Sequence, residues 1–511
     1  MVQGTASHVG KSVLVAALCR ILRQDGYRVA PFKAQNMSNN SYVTPEGGEI
    51  GRAQAVQAEA AGIEPSVEMN PVLLKPEADS RSQIVLLGRP QGSAGGSYFA
   101  QVKPRLWQAI STSLDSLRDQ YDVVVIEGAG SPAEINLKQH EIVNMRVARY
   151  CGAPVLLVGD IDRGGIFASL VGTMELLDPE ERDCVKGFVV NKFRGNVDLL
   201  KPGLAFLEER TGVPVAGVVP YYYDIDIPEE DAVPLDERRR MKERTDYLLD
   251  IAVIGFPHIS NFDDFDPLVR EPSVRLRYVE AHDELGRPDM VVLPGTKTTV
   301  RDLEWMREQG FAHRLRQLAD DGVAVVGICG GYQMLGDLIL DPQGIEAAEP
   351  RTRGLELLPV TTVFEGTKET SRVTGEVTGS AGLLGRATGT ILKGYEIHMG
   401  RTFPSPGGRE PIGRAPFLLK ERSGLPVEHL DGAADSAGMV LGTYLHGLFY
   451  NRGVRDSVLG ALAERKGVSL PESGGDAPHS NDTEYDKLAA LVRSSLRMDL
   501  VYGMMGLQAA P

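Results

Sequence analysis

Two short stretches of the chain carry residue types at spacings that could do chemistry. The first is Gly327-Ile328-Cys329-Gly330-Gly331-Tyr332-Gln333, directly after the apolar run Val323–Val326. A thiol on a tight strand-to-helix turn, flanked by residues too small to clash, is a nucleophile elbow. The helix N-terminus behind it favours a thiolate, and the Gly330 N–H is placed to serve an oxyanion. A lone cysteine is more often a small buried hydrophobe, but the glycines and the strand context favour the nucleophile. Its base should be a histidine delivered by the fold. His446, in Thr443-Tyr444-Leu445-His446-Gly447, closes the apolar run Met439–Tyr444 and is the leading candidate; His398, in Gly394-Tyr395-Glu396-Ile397-His398, competes. The loop Leu293-Pro294-Gly295-Thr296-Lys297 ends another strand and offers a second oxyanion N–H at Gly295.

The second stretch is Gly4-Thr5-Ala6-Ser7-His8-Val9-Gly10-Lys11-Ser12, a P-loop with one residue more between its glycines than the common form. Backbone N–H groups of such a loop cradle phosphate oxygens. Lys11 supplies a point charge to the β/γ phosphates, and the Ser12 hydroxyl can ligate Mg²⁺. One or two carboxylates complete a Mg²⁺ site. Glu127, after the apolar run Val123–Ile126, is the first candidate, and Glu49 in Gly47-Gly48-Glu49-Ile50-Gly51-Arg52 is a weaker second. Asp160 and Asp162 follow another strand and could steer a carboxylate or phosphate, or pair with nearby arginine. The polar run Lys33 to Asn40, with Asn36 and Asn39, either contacts a polar substrate or makes its own turn hydrogen bonds.

These residues need strands to hold them. Apolar runs at Arg28–Lys33, Tyr121–Ile126, Pro154–Val158, Gly187–Asn191 and Val213–Val219 alternate with helical patterns, as in Ser12–Arg23. That alternation predicts a parallel sheet covered on both sides. The strand before the P-loop is only Met1-Val2-Gln3, which suggests a short edge or a start lying a few residues too late. A second alternating set, at Ile251–Gly255, Met290–Pro294, Val323–Ile328 and Met439–Tyr444, predicts a second α/β domain. The expected division is 1–235 for the P-loop domain, 236–249 for a charged linker, 250–455 for the cysteine domain and 456–511 for a helical C-terminal extension.

The chain's 511 residues exceed one core. A net charge of −15 with no long basic run argues against a nucleic-acid partner. No apolar run would span a bilayer, and four scattered cysteines suit a reducing compartment, so a cytoplasmic enzyme is expected.

The cysteine half resembles class I glutamine amidotransferase domains. It departs from them where Leu448 stands two residues after the histidine in place of the usual Glu; Glu396 is a speculative substitute. The first half resembles the dethiobiotin-synthetase type of P-loop fold. That likeness implies that Lys11, Ser12, Glu49 and Glu127 hold Mg-ATP and that Asn191 contacts adenine. One family joins both halves in this order, the cobyric acid synthases of cobalamin biosynthesis. Phe32–Asn40, Asn70–Pro76, Gly159–Gly165, Asp226–Asp231 and Gly394–His398 look like its hallmarks. The resemblance implies ATP- and glutamine-dependent amidation of four peripheral carboxylates (b, d, e, g) of adenosylcobyrinic acid a,c-diamide. Lys33, Asn36, Asn39, Asn40 and Asp160 are then candidates for contacting the corrinoid or the phosphate.

The nearest rival is cobyrinic acid a,c-diamide synthase or another carboxylate amidase, against which the Gln35–Asn40 motif speaks. A rival of another class is a ParA/MinD-like ATPase switch, but this P-loop lacks the early second lysine and such a switch needs no cysteine elbow. Ammonia freed in bulk water would largely be protonated, so a sheltered path between the domains is expected.

Overall fold

The computed structural model describes residues 1–78, 81–222, 224–227, 246–347, 349–405, 415–471 and 481–507. Most of the expected linker, and Pro228–Asp231 of one hallmark motif, lie outside the described residues. The first domain is built on a six-stranded parallel sheet. Its spatial order is Val215–Pro220, Val185–Phe193, Val155–Asp160, Val2–Gly4, Val123–Glu127, Val29–Lys33. The three-residue strand Val2–Gly4 is therefore central, not an edge: Val2 and Gly4 pair with Leu156 and Val158 on one side, and Val2 with Glu127 on the other.

Helix Lys11–Gln24 follows the P-loop because Val15, Ala17, Leu18, Ile21 and Leu22 form an apolar face, each no more than 6% exposed. Burying each large aliphatic side chain contributes about 1.5–3 kcal/mol. Helix Arg52–Ala61 lies beside it and is buried nearly all round. Its small residues Ala53, Ala55, Ala58 and Ala60 allow that close packing.

Two features of this domain have no strong period in the sequence. A four-stranded sheet orders Gln35–Met37, Val72–Ala78, Arg81–Leu86 and Arg89–Gly95, and a small hairpin pairs Ser41–Val43 with Glu49–Gly51. Both extend from the sheet toward the second domain.

The second domain has its own sheet, ordered Val274–Val279, Leu249–Ile254, Met290–Leu293, Ala324–Ile328, Val440–Thr443, Ala433–Ala434. All neighbours are parallel except the last pair. Against it stands a long antiparallel ribbon, Val360–Val377 with Ile391–Pro404, extended by Phe417–Arg422 and Leu425–Asp431.

After helix Arg452–Lys466 the chain returns to the first domain. Helix Asn481–Ser495 places Tyr485, Leu488, Ala489 and Val492 in the core that includes helix Lys11–Gln24. Arg20 pairs with Asp482 and Asp486, each at 2.7 Å, and Arg493 with Asp25 at 2.8 Å. From Asn481 on, the extension is thus a strap on the P-loop domain, whereas Val458, Leu459 and Leu462 at its start belong to the second domain's core.

Candidate active site

The carboxyl ends of the first-domain strands gather the sequence candidates in one row. Lys33 is registered against Glu127, Gly4 against Val158, and Asp160 against Asn191. Gly10 has φ 96°, and a Cβ there would sit 2.2 Å from Asn191 Nδ2, so only glycine fits the turn. Asn191 Nδ2 donates to the Val9 carbonyl at 2.8 Å and clamps the loop. Lys11 Nζ donates to the Ala6 and Gly130 carbonyls at 2.9 and 3.3 Å, folded into the cradle that a phosphate would take.

Glu127 is the hub of this site. Its Oε1 accepts from Ser12 Oγ at 2.8 Å and from Lys33 Nζ at 2.9 Å; its Oε2 accepts from Gln57 Nε2 at 2.6 Å and Gln54 Nε2 at 3.4 Å. Burial opposes its ionisation, but Lys33, the Gln57 hydrogen bond and Lys11 hold its carboxyl below the usual range. A hydroxyl beside one ionised carboxylate is the hard-oxygen set that suits a Mg²⁺ keeping its waters and taking phosphate oxygens. Among the described residues no group of three or more His, Cys, Asp or Glu side chains offers a denser metal site.

Glu49 does not fit that role. It is fully buried, with Oε1 on Lys75 at 2.6 Å and Oε2 on the second domain's Lys368 at 2.5 Å. Two ammonium groups on one carboxylate repel a divalent cation, so Glu49 is a seam residue joining the domains. Asp160 carries Lys192 at 3.1 Å and Arg163 at 3.7 Å, the pairing that was the alternative to a substrate role. Asn36 Nδ2 donates to Gln54 Oε1 at 2.9 Å, which positions the glutamine that reaches Glu127. Asn40 Oδ1 accepts from Phe262 N of the second domain at 3.4 Å. Asn39 Oδ1 is buried with no hydrogen-bond partner among the described residues.

In the second domain, Cys329 ends strand Ala324–Ile328 with φ 53° and ψ −111°. A non-glycine residue held there stores about 1–3 kcal/mol of strain. The glycines make the bend possible, since a Cβ at Gly331 would sit 2.0 Å from the Leu293 carbonyl oxygen. Gly330 opens helix Gly330–Leu335, whose first N–H groups have no intrahelical acceptor. Its α-carbon faces the Gly295–Thr296 loop: a Cβ there would be 3.3 Å from Thr296 N. A Cβ on Gly295 would be 3.0 Å from His446 Cε1. Gly295 therefore borders the imidazole, and Gly330 borders the Gly295–Thr296 loop.

His446 follows strand Val440–Thr443, which pairs with the cysteine strand through Ile328 and Thr443. Its Nδ1 lies 2.7 Å from Asp264 Oδ2, and Asp264 Oδ1 accepts from Gly447 N at 2.8 Å. The ring stacks on Tyr395, with centroids 5.1 Å apart. Burial disfavours the imidazolium, but the Asp264 charge and hydrogen bond, with the Cys329 thiol, lift its pKa to about 10.

Asp264 is thus the third member, and Glu396 is not: Glu396 is bound by Arg422 at 2.9 Å and lies 3.8 Å from His398. His398 stacks on Tyr444 at 3.8 Å, away from the base position. Sequence reasoning missed Asp264 because it comes from the turn after the first strand, far from the histidine in the chain. The available signal was Asn261-Phe262-Asp263-Asp264-Phe265-Asp266, three carboxylates set among aromatics, all of them buried.

Comparisons with known proteins match both halves of the chain. Residues 1–235 match the CobQ/CobB/MinD/ParA nucleotide binding domain, and residues 250–454 the CobB/CobQ-like glutamine amidotransferase domain. Over 99% of its length the chain is 50% identical to a cobyric acid synthase of Dehalococcoides mccartyi strain CBDB1, covering 98% of that protein. It is 54% identical to one from Sorangium cellulosum and 50% identical to one from Moorella thermoacetica, with coverage of 98% and 97%.

The chain belongs to the cobyric acid synthase family. It is a glutamine-hydrolysing carbon–nitrogen ligase of cobalamin biosynthesis with a nucleotide-binding first domain. Within the described residues no helix is long and apolar enough to cross a membrane. The two domains meet along one seam. Val43 of the first domain packs with Tyr395 and Ile397 of the ribbon, and the Ile397 carbonyl accepts from Cys329 Sγ at 3.4 Å. Arg372 reaches across to the Val43 carbonyl and the Tyr42 hydroxyl, and Lys297 pairs with Glu77 at 3.0 Å.

Proposed function

We propose that this cytoplasmic enzyme releases ammonia from glutamine at Cys329 and uses it to amidate four peripheral carboxylates (b, d, e, g) of adenosylcobyrinic acid a,c-diamide. The product is adenosylcobyric acid. The observation that carries the reading is the position of the Cys329–His446–Asp264 constellation on the seam with the P-loop domain. Glutamine hydrolysis there delivers ammonia toward the carboxylate to be activated rather than to solvent.

In the second domain, the Cys329 thiolate attacks the glutamine carboxamide carbon, with the oxyanion received by the N–H groups of Gly330 and Gly295. His446, oriented by Asp264, gives its proton to the departing ammonia, and water then hydrolyses the thioester to glutamate. In the first domain, a carboxylate needs a better leaving group than oxide. Phosphoryl transfer from ATP gives an acyl phosphate and ADP, and ammonia then attacks the acyl carbon, forming the amide and releasing phosphate. Lys11 and the loop N–H groups would neutralise the transferring phosphoryl; Ser12 and Glu127 would hold Mg²⁺, whose charge would add to that neutralisation. Asn191, whose Nδ2 clamps the loop through the Val9 carbonyl, would offer adenine its carboxamide oxygen. For Lys33, Asn36, Asn40 and Asp160 a role toward the corrinoid would require release of the internal partners they hold here, whereas the Asn39 amide, whose buried oxygen has no hydrogen-bond partner among the described residues, would be the first to meet a polar group of the substrate.

The test is the mass of the corrinoid after incubation of the purified enzyme with ATP, Mg²⁺ and glutamine. Four successive amidations of the a,c-diamide support the assignment. Amidation of cobyrinic acid instead, or none with glutaminase intact, removes the substrate while leaving the ligase class.

A further inference from the structure

The turn that supplies Asp264 holds three carboxylates in almost complete burial: Asp263, Asp264 and Asp266 are 3%, 1% and 3% exposed. Asp264 is committed to His446 and Gly447. Asp263 is met by a cation from the other domain, Arg52, whose Nε lies 3.1 Å from Asp263 Oδ2. Arg52 is itself 7% exposed, and its backbone N–H donates to the Asn40 carbonyl at 3.1 Å. It opens helix Arg52–Ala61, which sends Gln54 and Gln57 to Glu127. The remaining charged or titratable groups around Asp263 are Asp266 on its own turn, His446 on the strand end and Tyr395 on the ribbon, with Tyr450 beyond the histidine loop. Glu59 on the helix faces Arg52.

Adjacent buried carboxylates disfavour each other's ionisation, and each must be matched by a cation or take up a proton. His446 matches Asp264; the match for Asp263 comes from the first domain. We propose that Arg52 is a positioning residue of the glutamine site, neutralising Asp263 so that the Asp264 carboxylate stays aligned on His446. Glutamine hydrolysis then depends on the docking of the P-loop domain, and one short helix serves both centres. Burial lifts the Asp263 carboxyl to about 6 against the pull of Arg52, with Asp264 and Asp266 adding to the lift, so the balance is close to neutrality as it stands. This inference rests on the reading of Cys329, His446 and Asp264 as the glutaminase constellation.

The experiment measures glutamate release across pH by the full-length enzyme, beside ammonium-dependent amidation with ATP and the corrinoid diamide. Arg52→Gln should lower kcat for glutamine hydrolysis by about tenfold or more at alkaline pH, where Asp263 is ionised and unmatched. Its alkaline limb should move to lower pH, because the deficit disappears only where Asp263 takes up a proton, with the KM for glutamine and the ammonium-dependent rate unchanged. Arg52→Lys keeps the charge and should keep the wild-type limb. In Arg52→Gln/Asp263→Asn, two neutral amides face each other, and most of the lost glutaminase should return. Should Arg52→Gln not accumulate as folded protein, the limb in Arg52→Lys and the rate in the double variant decide the matter. A shifted limb in Arg52→Lys overturns the inference. So does a double variant as slow as Arg52→Gln, or an ammonium-dependent rate that falls in step. Cys329→Ala separates the two levels. Glutaminase surviving there overturns the site reading, whereas glutaminase lost there but normal in Arg52→Gln overturns the Arg52 inference alone.

Discussion

Replacing Asp264 by Asn tests the part of the glutamine site that the chain's linear order hides. The carboxylate accepts from the histidine ring at 2.7 Å, and no water-exposed route weakens the contact, since both side chains are 1% exposed. Burial alone would depress the imidazolium; with Asp264 and the Cys329 thiol present, its pKa stands near 10 against an ordinary 6.5. At about 1.4 kcal/mol per unit, the surroundings favour the charged ring by on the order of 5 kcal/mol. An amide of the same shape keeps the packing and gives up most of that. Loss of the orienting carboxylate in a Ser-His-Asp triad lowers kcat by about 10⁴; a thiol ionises more readily, so about 10²–10³ is expected here. Glutamate release by Asp264→Asn should fall by that factor while ammonium-dependent amidation persists. Stability carries a second signature. A histidine whose folded pKa is raised contributes stability that is full below pH 6.5 and lost as pH rises toward 10. The melting temperature of Asp264→Asn should therefore lie furthest below wild type near pH 6 and converge with it near pH 10. Glutaminase within threefold of wild type, or a melting deficit that grows with pH, would refute the reasoning.

Further outcomes follow from the same geometry. Cys329→Ala should abolish glutamine-dependent amidation and leave ammonium-dependent amidation intact, whereas Lys11→Ala should abolish both, as read by corrinoid mass. Glu127→Gln should raise the Mg²⁺ concentration needed for ATP consumption. Glu49→Gln should leave the Mg²⁺ requirement alone but destabilise the seam by about 3–5 kcal/mol, because Lys75 and Lys368 lose their shared partner in the interior. Against the cost of burial, Lys368 and Lys75 hold the Glu49 carboxyl far below its ordinary 4.5, so that contribution is present above 4.5 and lost as pH falls; thermal melts at pH 7 and pH 4 check it. Leu488→Ala on the C-terminal strap should cost about 2–5 kcal/mol and lower the melting temperature of the P-loop domain.

Much of the fold was legible because parallel strands buried on both faces read as unbroken apolar runs, as in Val123–Ile126 and Val323–Ile328. The elbow and the P-loop were legible because their chemistry demands glycines in the immediate neighbourhood. The ribbon Val360–Val377 was not: its first eleven residues follow no clean period of burial, only Ser371–Val377 alternates, and its face is set by a partner strand arriving later in the chain. Asp264 was hidden for a similar reason. Its role is fixed by a tertiary contact 182 residues away, and nothing near it in the sequence resembles a catalytic motif. Glu49 misled because it sits beside glycines, as a phosphate-site carboxylate would, while its actual partners are two lysines, one of them in the other domain.

The central claim is that ammonia made at Cys329 crosses the seam to a carboxylate activated in the P-loop domain. It is tested most directly by supplying glutamine labelled with heavy nitrogen in its amide, in the presence of excess unlabelled ammonium, and measuring the mass of the corrinoid product. Heavy nitrogen in the new amides is the predicted result. Amides carrying the unlabelled nitrogen of the medium, with glutamine hydrolysed alongside, would contradict it.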